Sequence, residues 1–521
     1  MSVPPCDAEL TADVVVVAGV PCGIAAAIAA ARQGADVLLI EPTRHIGGLN
    51  TSGVNTAETE HMLKWTIGGI AAEFYRRLGE IYGTGEPEYY FESSVAEAAF
   101  TEMLAGAGVR VHFGAAVAEV LKEGATICKL RLTDGTEVAG RFFIDASYEG
   151  DLMARAGVSF TVGRESREEF GEEAAGVRLD LIPRTARTVD ARGNLRPGIS
   201  ARADDLREGD AHPEPMCYNF RPTVAIDPAL RVPIPEPGSY DPERYGLLAD
   251  FLRSYPADSE PLTLRHLFGF PRRRNGKFEL NNKQDAIVSL GHFGGQFGWA
   301  TASYSERARM MADHLDYTLG LLYFLKNDSS VHEGLQREAR ELGLHCGEFV
   351  DNGHLPYQLY VREARRMRGT VIVTQKDAVE DRRKQDTIGI SSHFLDSHHV
   401  QRVAISDETF VNEGRIWRMG YAFQIPYAAL LPQAHECDNL LVPGAASFTH
   451  VAFCALRLES VWMITGHAAG AAAGLSLRAD GNPHSLDIRT LQSALRKEGQ
   501  VIDFAAGEPE KCQHLNGPPE V

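Results

Sequence analysis

An α/β fold, a parallel sheet layered with helices and interrupted by a second unit, is predicted by three features of the sequence. A strand, a tight turn, a small-residue helix and a second strand follow one another in VVVVAGVPCGIAAAIAAARQGADVLLIEP, residues 14–42. Strands and helices keep alternating to about residue 165. A last strand and an Ala/Gly-rich helix then return in NLLVPGAASFTHVAFCALRLESVWMITGHAAGAAAG, residues 439–474.

Val14–Val17 is a run of β-branched residues suited to a buried parallel strand. Gly19, Pro21 and Gly23 turn the chain into a helix over Ile24–Arg32, whose Ala-rich surface can press closely on a sheet. Gly34 ends that helix, and Val37–Ile40 forms the next strand. Glu41 follows, roughly twenty residues past the turn, where an acid accepts both ribose hydroxyls and disfavours a 2′-phosphate. The phosphate-loop pattern G-x-G-x-x-G is imperfect, because its three slots hold Ala18, Val20 and Gly23. Ala18 followed by Gly19 can still make the tight turn, and Gly23 keeps the helix close to the strand. Val20 is the real departure, at the slot where backbone approaches pyrophosphate.

Further pieces extend this site. RHIGGLNTSG, residues 44–53, places Gly47 and Gly48 just beyond Glu41. RFFIDASYEGDLMARAGVSFTVGRES, residues 141–166, is a strand that ends in Asp145-Ala146 and brings the chain back to the nucleotide. Between them lie a helix, a strand over Val109–Phe113 and a hairpin around Asp134-Gly135. A charged, Pro-rich excursion follows from about 166 to 262. Residues 305–328 show helical apolar spacing with Ser305 as expected N-cap, HEGLQREARELG gives a second helix, and strands are expected near 357–374.

These segments, with FESSVAEAAFTEML, CYNFRPT, NGKFELNN, YVREARRMRG, HFLDSHHVQR and QIPYAALLP, resemble the FAD-dependent oxidoreductase family whose members are often labelled xanthan lyase-like. The resemblance covers most of residues 12–480. It implies a glutathione-reductase-like Rossmann FAD-binding domain with an inserted α+β substrate domain. More distantly, the layout is similar to the flavoproteins of succinate dehydrogenase and fumarate reductase. The implied division is an FAD-binding domain over 10–165 and 430–482, a substrate domain over 166–429, and a C-terminal helix and tail over 483–521, the tail poorly ordered. Implied FAD contacts are Ala18, Gly19, Val20, Pro21, Cys22, Gly23, Glu41, Pro42, His45, Gly47, Gly48, Leu49, Val117, Ala146, Ser147, Gly444, Glu459 and Val461. A helix N-terminus near Glu459 would stabilise the anionic reduced flavin. Two positions depart from the family: Cys22 stands where a second glycine is common, and Ala428 where the IPYRALLP form has Arg.

At 521 residues the chain suits two or three domains. A net charge of −18 argues against nucleic acid or an anionic membrane surface as partner. No secretion signal or membrane-spanning apolar run is legible, and eight scattered cysteines without C-x-x-C suit a reducing cytoplasm, so a cytoplasmic enzyme without metal is expected. A homo-oligomer is left open.

No second glycine fingerprint follows a long strand; GHFGGQFG, residues 291–298, lacks one. NAD(P)H is therefore not the expected electron partner. Electrons should come from a small-molecule substrate and leave to oxygen or a separate acceptor. Candidate catalytic residues are taken in turn. Arg362, Arg365, Arg366 and Arg368 supply forks matched to carboxylates, and at least half of them must be structural or solvated, with Glu363 an internal partner. By the succinate dehydrogenase comparison Arg366 is the counterpart of a proton-transferring arginine, with Arg362 second. His393, His398 and His399 are candidate bases, His393 and His399 foremost, and their spacing does not make a zinc set. His450, on a strand-to-helix loop seven residues before Arg457, is the sharper base candidate; Arg457 binds substrate or flavin, or only pairs with Glu459. His45 is expected to act non-covalently, and Cys22 to pack. The reaction expected is hydride removal from a small oxygenated or anionic substrate to flavin N5. The alternatives are a flavin monooxygenase, or a carbohydrate-active lyase or binding protein with non-redox FAD.

Overall fold

The computed structural model describes residues 9–55, 59, 61–179, 182–256 and 258–512. The tail expected to be poorly ordered lies, beyond Cys512, outside them.

One mixed sheet organises the first third of the chain. Its order is β3(Arg110–Phe113), β2(Val37–Glu41), β1(Glu9–Val17), β6(Glu137–Asp145), β5(Thr126–Leu132), β4(Val117–Glu123). The first four run parallel, with Val14 opposite Val37 and Val17 opposite Asp145, and β4–β6 form an antiparallel meander. The chain returns as strand Leu440–Leu441, parallel to the end of β6, although nearly three hundred residues separate them. Val14, Val15 and Val16 are fully buried because helices cover one face and the meander and its neighbours the other.

Helix α1 (Pro21–Arg32) follows β1 directly, so its N-terminus points at the carboxyl end of the parallel strands. It packs on the helix Glu459–Arg478 at backbone contact. A Cβ added at Gly466 would lie 2.0 Å from Cys22 O, and one at Gly470 would lie 2.0 Å from Ala26 O. The Ala/Gly composition of both helices is therefore a packing requirement: any larger side chain there forces the helices apart. Helices α2 (Gly69–Tyr82) and α3 (Ser93–Gly106) complete this layer.

The middle of the chain builds a second core. Short strands 223–225, 231–232, 278–279 and 343–345 make one small sheet; 184–185, 201–202, 401–406 and 409–413 make another. The helices Tyr304–Asn327 and Glu333–Glu341 seal the space between, burying Leu248, Leu321, Phe324 and Leu344. Two expectations are corrected here. The N-cap of the long helix is Ser303, not Ser305, because Ser303 and Glu306 form a reciprocal capping box. Strands near 357–374 reduce to Arg365–Met367, paired with Phe160–Val162. In the rest of that segment Tyr360, Arg368 and Thr370 donate in turn to Asn219, Ser159 and Leu431, and so cannot form a ladder with any single neighbour. Among the described residues, no helix is long and apolar enough to cross a membrane.

Candidate active site

The turn from β1 into α1 forms one wall of a cradle. Ala18 adopts φ +81°, a left-handed conformation rare for a residue with a side chain, so the tight turn is made at a strained alanine. Val20, the N-cap, offers no side-chain acceptor, and Pro21 has no N–H. The first-turn amides of Cys22 and Gly23 are thus left for an anion, where the helix dipole also favours one. Glu41 accepts the Gly19 N–H at 2.8 Å on one oxygen, and the Thr43 N–H and hydroxyl at 2.8 and 2.7 Å on the other. Burial pushes its carboxyl above the usual range, against the pull of these bonds.

The second glycine segment closes over this turn. Gly47 donates its N–H to Gly19 O at 2.7 Å. Gly48 has positive φ, and a Cβ there would lie 2.3 Å from Tyr148 Oη and 3.0 Å from Val20. Leu49 donates its N–H to Tyr148 Oη at 3.1 Å, and that hydroxyl donates to Glu459 at the start of the Ala/Gly-rich helix. Asn50 is buried with its amide nitrogen unpartnered within the described residues. Gly444, Ala146 and Ser147 meet behind: a Cβ on Gly444 would lie 2.6 Å from Ser147 O. An acid at the end of β2, unspent helix-start amides, two glycines held to close approach and an orphaned amide donor fit FAD. Of the other expected contacts, Pro42 is exposed, Val461 is buried in its helix, and Val117 opens β4 with its carbonyl taken by Tyr304. His45 stacks on Tyr357 at 3.4 Å and binds Glu97 and Asp351. Burial pushes the Cys22 thiol up, with Thr465 opposing it.

His450 begins the short helix His450–Leu456, capped by Thr449. Its N–H donates to Glu165 Oε2 at 2.9 Å, its Nδ1 lies 2.8 Å from Glu363 Oε2, and its Nε2 lies 3.2 Å from Ser397 Oγ. A carboxylate on Nδ1 requires the proton there, which leaves Nε2 as acceptor. Arg366 binds both carboxylates, Glu165 at 2.6 Å and Glu363, and spends its remaining donors on Gly163 O and Phe448 O. Burial opposes the Arg366 charge, but Glu165 and Glu363 outweigh it and hold the guanidinium above its usual range; Glu165 is in turn held low by Arg366 despite burial.

The other arginines of the stretch diverge. Arg365 pairs with Asp151, and exposed Arg368 with Glu169. Arg362 donates to Cys217 O at 2.6 Å and to Asn219, with its guanidinium 4.1 Å over the Tyr360 ring. Arg457 reaches Tyr360 Oη at 3.3 Å; its acid partner is Asp396 at 3.0 Å, whereas Glu459 serves Tyr148. His393 bonds Phe394 O at 3.0 Å and is pushed down to about 3 by burial, with His61 and Arg457 adding to it. His398 Nδ1 lies 2.6 Å from the Gln284 amide, and His399 is buried with Nδ1 unpartnered among the described residues.

Tyr148, Thr43, Asn50, Glu165, Ser397, Asp396 and Tyr360 escaped the sequence reading. Thr43, two residues past Glu41, and Tyr148, in the loop after β6, carried a local signal. Ser397 and Asp396 did not, because each acquires its role from a partner more than fifty residues away.

Comparison with known proteins gives one extensive match. The family described as FAD dependent oxidoreductase matches residues 13–495. Among solved structures, a geranylgeranyl bacteriochlorophyll reductase-like protein from Thermoplasma acidophilum is 12% identical, with 94% of this chain and 85% of that one covered and a TM-score of 0.35. Thermovibrio ammonificans THI4 is 22% identical over 30% of this chain and 66% of its own, with a TM-score of 0.23. The T. acidophilum thioredoxin reductase is 18% identical over 26% and 35%, with a TM-score of 0.18. This chain therefore spans less than two thirds of the length of the last two. No curated protein matches it.

Proposed function

The chain belongs to the FAD dependent oxidoreductase family, and from that premise we propose a dehydrogenase or oxidase that removes a hydride from a C–H bond of a small oxygenated or anionic substrate. FAD, when bound, supplies the acceptor for that hydride. The turn amides of Cys22 and Gly23, Glu41 and the segment Gly47–Asn50 would hold the cofactor.

The observation that carries the reading is the fixed imidazole of His450, between Glu363 on Nδ1 and Ser397 on Nε2. As hydride leaves carbon, the adjoining hydroxyl or amine must lose a proton. Ser397 Oγ can take it while passing its own to His450 Nε2, and Glu363 stabilises the imidazolium that results. Arg366 holds Glu363 in place through an ion pair, and therefore acts as a positioning residue. Oxygen or a separate acceptor would then remove the electrons.

The test is anaerobic. Protein of measured flavin content is mixed with alcohols, amines, sugars and carboxylates, and the visible spectrum is followed. A substrate that bleaches the flavin is expected. Turnover of a substrate without bleaching overturns the reading in favour of non-redox FAD. With the bleaching substrate, His450→Gln is expected to slow flavin reduction about 10²–10⁴-fold at unchanged flavin content.

A further inference from the structure

The second glycine segment is fastened from outside its own sheet, and the fastener is His45. This residue opens the run that leads through Ile46 to Gly47, whose N–H goes to Gly19 O at 2.7 Å. The two ring nitrogens of His45 face two acids on different elements. Nδ1 lies 3.0 Å from Glu97 Oε1 on α3, an oxygen that also accepts the Ile46 N–H at 3.4 Å. Nε2 lies 3.2 Å from Asp351 Oδ2, in the turn 348–357 of the middle unit. A neutral imidazole carries one N–H and cannot donate to both acids. Only the imidazolium satisfies the pair.

The turn is shaped to hold this contact. Tyr357 stacks on His45 with ring centres 3.4 Å apart and planes 9° from parallel, and it donates its hydroxyl to Asp351 Oδ1 at 2.7 Å. That hydroxyl foremost, with His45 adding to it, keeps the Asp351 carboxyl below its usual range. Phe349 is buried edge-on to the Tyr357 ring at 5.2 Å. Phe349 and His354 both take left-handed φ, +49° and +65°, which residues with side chains keep only where the surrounding contacts enforce it. At its start the turn is anchored to α3, where Glu348 accepts the Ser94 N–H at 3.0 Å. The charged and titratable groups around His45 are thus Glu97 from α3, Asp351 and Tyr357 from the turn with Glu348 behind them, and exposed Arg44 beside it in the chain.

We propose that the turn 348–357 is a strap over the second glycine segment, closed by protonated His45 and opened when His45 loses its proton, so that retention of FAD depends on pH. The proposal rests on the cofactor cradle and not on the hydride reading. Once the proton leaves to solvent, the tautomer that keeps Glu97 turns a lone pair towards Asp351, and His45 then holds α3 alone. The glycine segment loses this tie to the middle unit. Imidazoles exchange that proton between about pH 5 and 8, so the strap is closed at the acid end and opens as pH rises. Asp351 is 65% exposed, so water screens its half of the clasp and the effect is modest.

In the experiment, FAD-loaded protein is diluted into buffers between about pH 5.5 and 8.5, and release is followed by the rise in flavin fluorescence. The parent is expected to release FAD about two- to fivefold faster at the alkaline end than at the acid end. Asp351→Asn, at an exposed position that folding tolerates, should release FAD at one rate across the range, since a neutral imidazole donating to Glu97 then meets no opposing charge. His45→Gln should be equally flat and as fast as the parent at the alkaline end, and Asp351→Asn added to it should change nothing further. A parent rate independent of pH, or a parent-like pH profile in either single variant, overturns the proposal. A parent that holds no flavin to release overturns the cofactor assignment itself, and the proposal with it.

Discussion

Two buried arginine regions lie on either side of the chain between residues 362 and 366, and they are built on opposite principles. On the Arg366 side the buried acids are matched by a cation: Glu165 and Glu363 both pair with Arg366 and also receive His450. On the Arg362 side the guanidiniums of Arg362 and Arg402 meet carbonyls, an amide oxygen and aromatic faces, and the positive charge is left standing. Burial raises the cost of charge equally in both places. In the first, the protein supplies the compensation itself and gains a fixed geometry. In the second, carbonyl and amide oxygens and aromatic faces stand where the acid would be. The difference teaches that burial of an arginine is uninformative alone; what matters is whether an acid was buried with it.

The sharpest way to break this comparison is to remove one arginine from each side. Arg366→Met leaves Glu165 and Glu363 buried with their shared cation gone, and should cost about 3–5 kcal/mol of unfolding free energy. Denaturant unfolding of the flavin-free protein measures it. Addition of Glu165→Gln should recover part of the loss, because one stranded charge then disappears. Equal destabilisation by Arg366→Met and Arg402→Met would mean that the two regions are energetically alike.

The sequence made the frame of this comparison legible, though not its content. The strand, turn and helix over residues 14–42 were readable because apolar period, glycine and proline act over a few residues. The return at Leu440 was readable because the apolar strand and the small-residue helix that follows keep their pattern. The cap of the long helix is also legible locally, because Ser303 has a glutamate three residues on, whereas Ser305 does not. The partners of the arginines were a different matter. Arg362 and Arg366 stand four residues apart in one charged run, and what distinguishes them is that Glu165 lies against one and Cys217 and Asn219 against the other. Those partners come from segments some 140 to 200 residues distant, and no local pattern carries that information.

Acid should separate the regions next. His393, near Arg457, titrates at about 3 in the folded protein against about 6.5 in an unfolded chain. The unfolded state therefore takes up the proton first, so this contribution is complete above about pH 6.5 and declines as pH falls towards 3. Glu165 is depressed below its unfolded value of about 4.3, so its contribution is lost only as pH falls below that. Stability should thus begin to fall on the histidine side, by roughly 2 kcal/mol from His393 alone between pH 6.5 and 5 at 1.36 kcal/mol per pH unit. His393→Phe should make that limb of the profile shallower, since His398 and His399 share it, and leave the limb below pH 4 in place. A profile that is flat down to pH 4.5 in the parent protein would remove the distinction.

The smallest effect is expected from the fourth arginine of the run. Arg368 pairs with Glu169 at 3.3 Å, but its side chain is 46% exposed, so water competes for both charges. Arg368→Ala should shift stability by only about 0–1 kcal/mol, less in high salt, and leave flavin content unchanged. It is the control that the comparison needs, because it has the same residue type, neighbours and sequence setting and lacks only burial. A loss comparable with that of Arg366→Met would show that the run acts as one electrostatic unit, and the contrast between its two buried sides would then have to be abandoned.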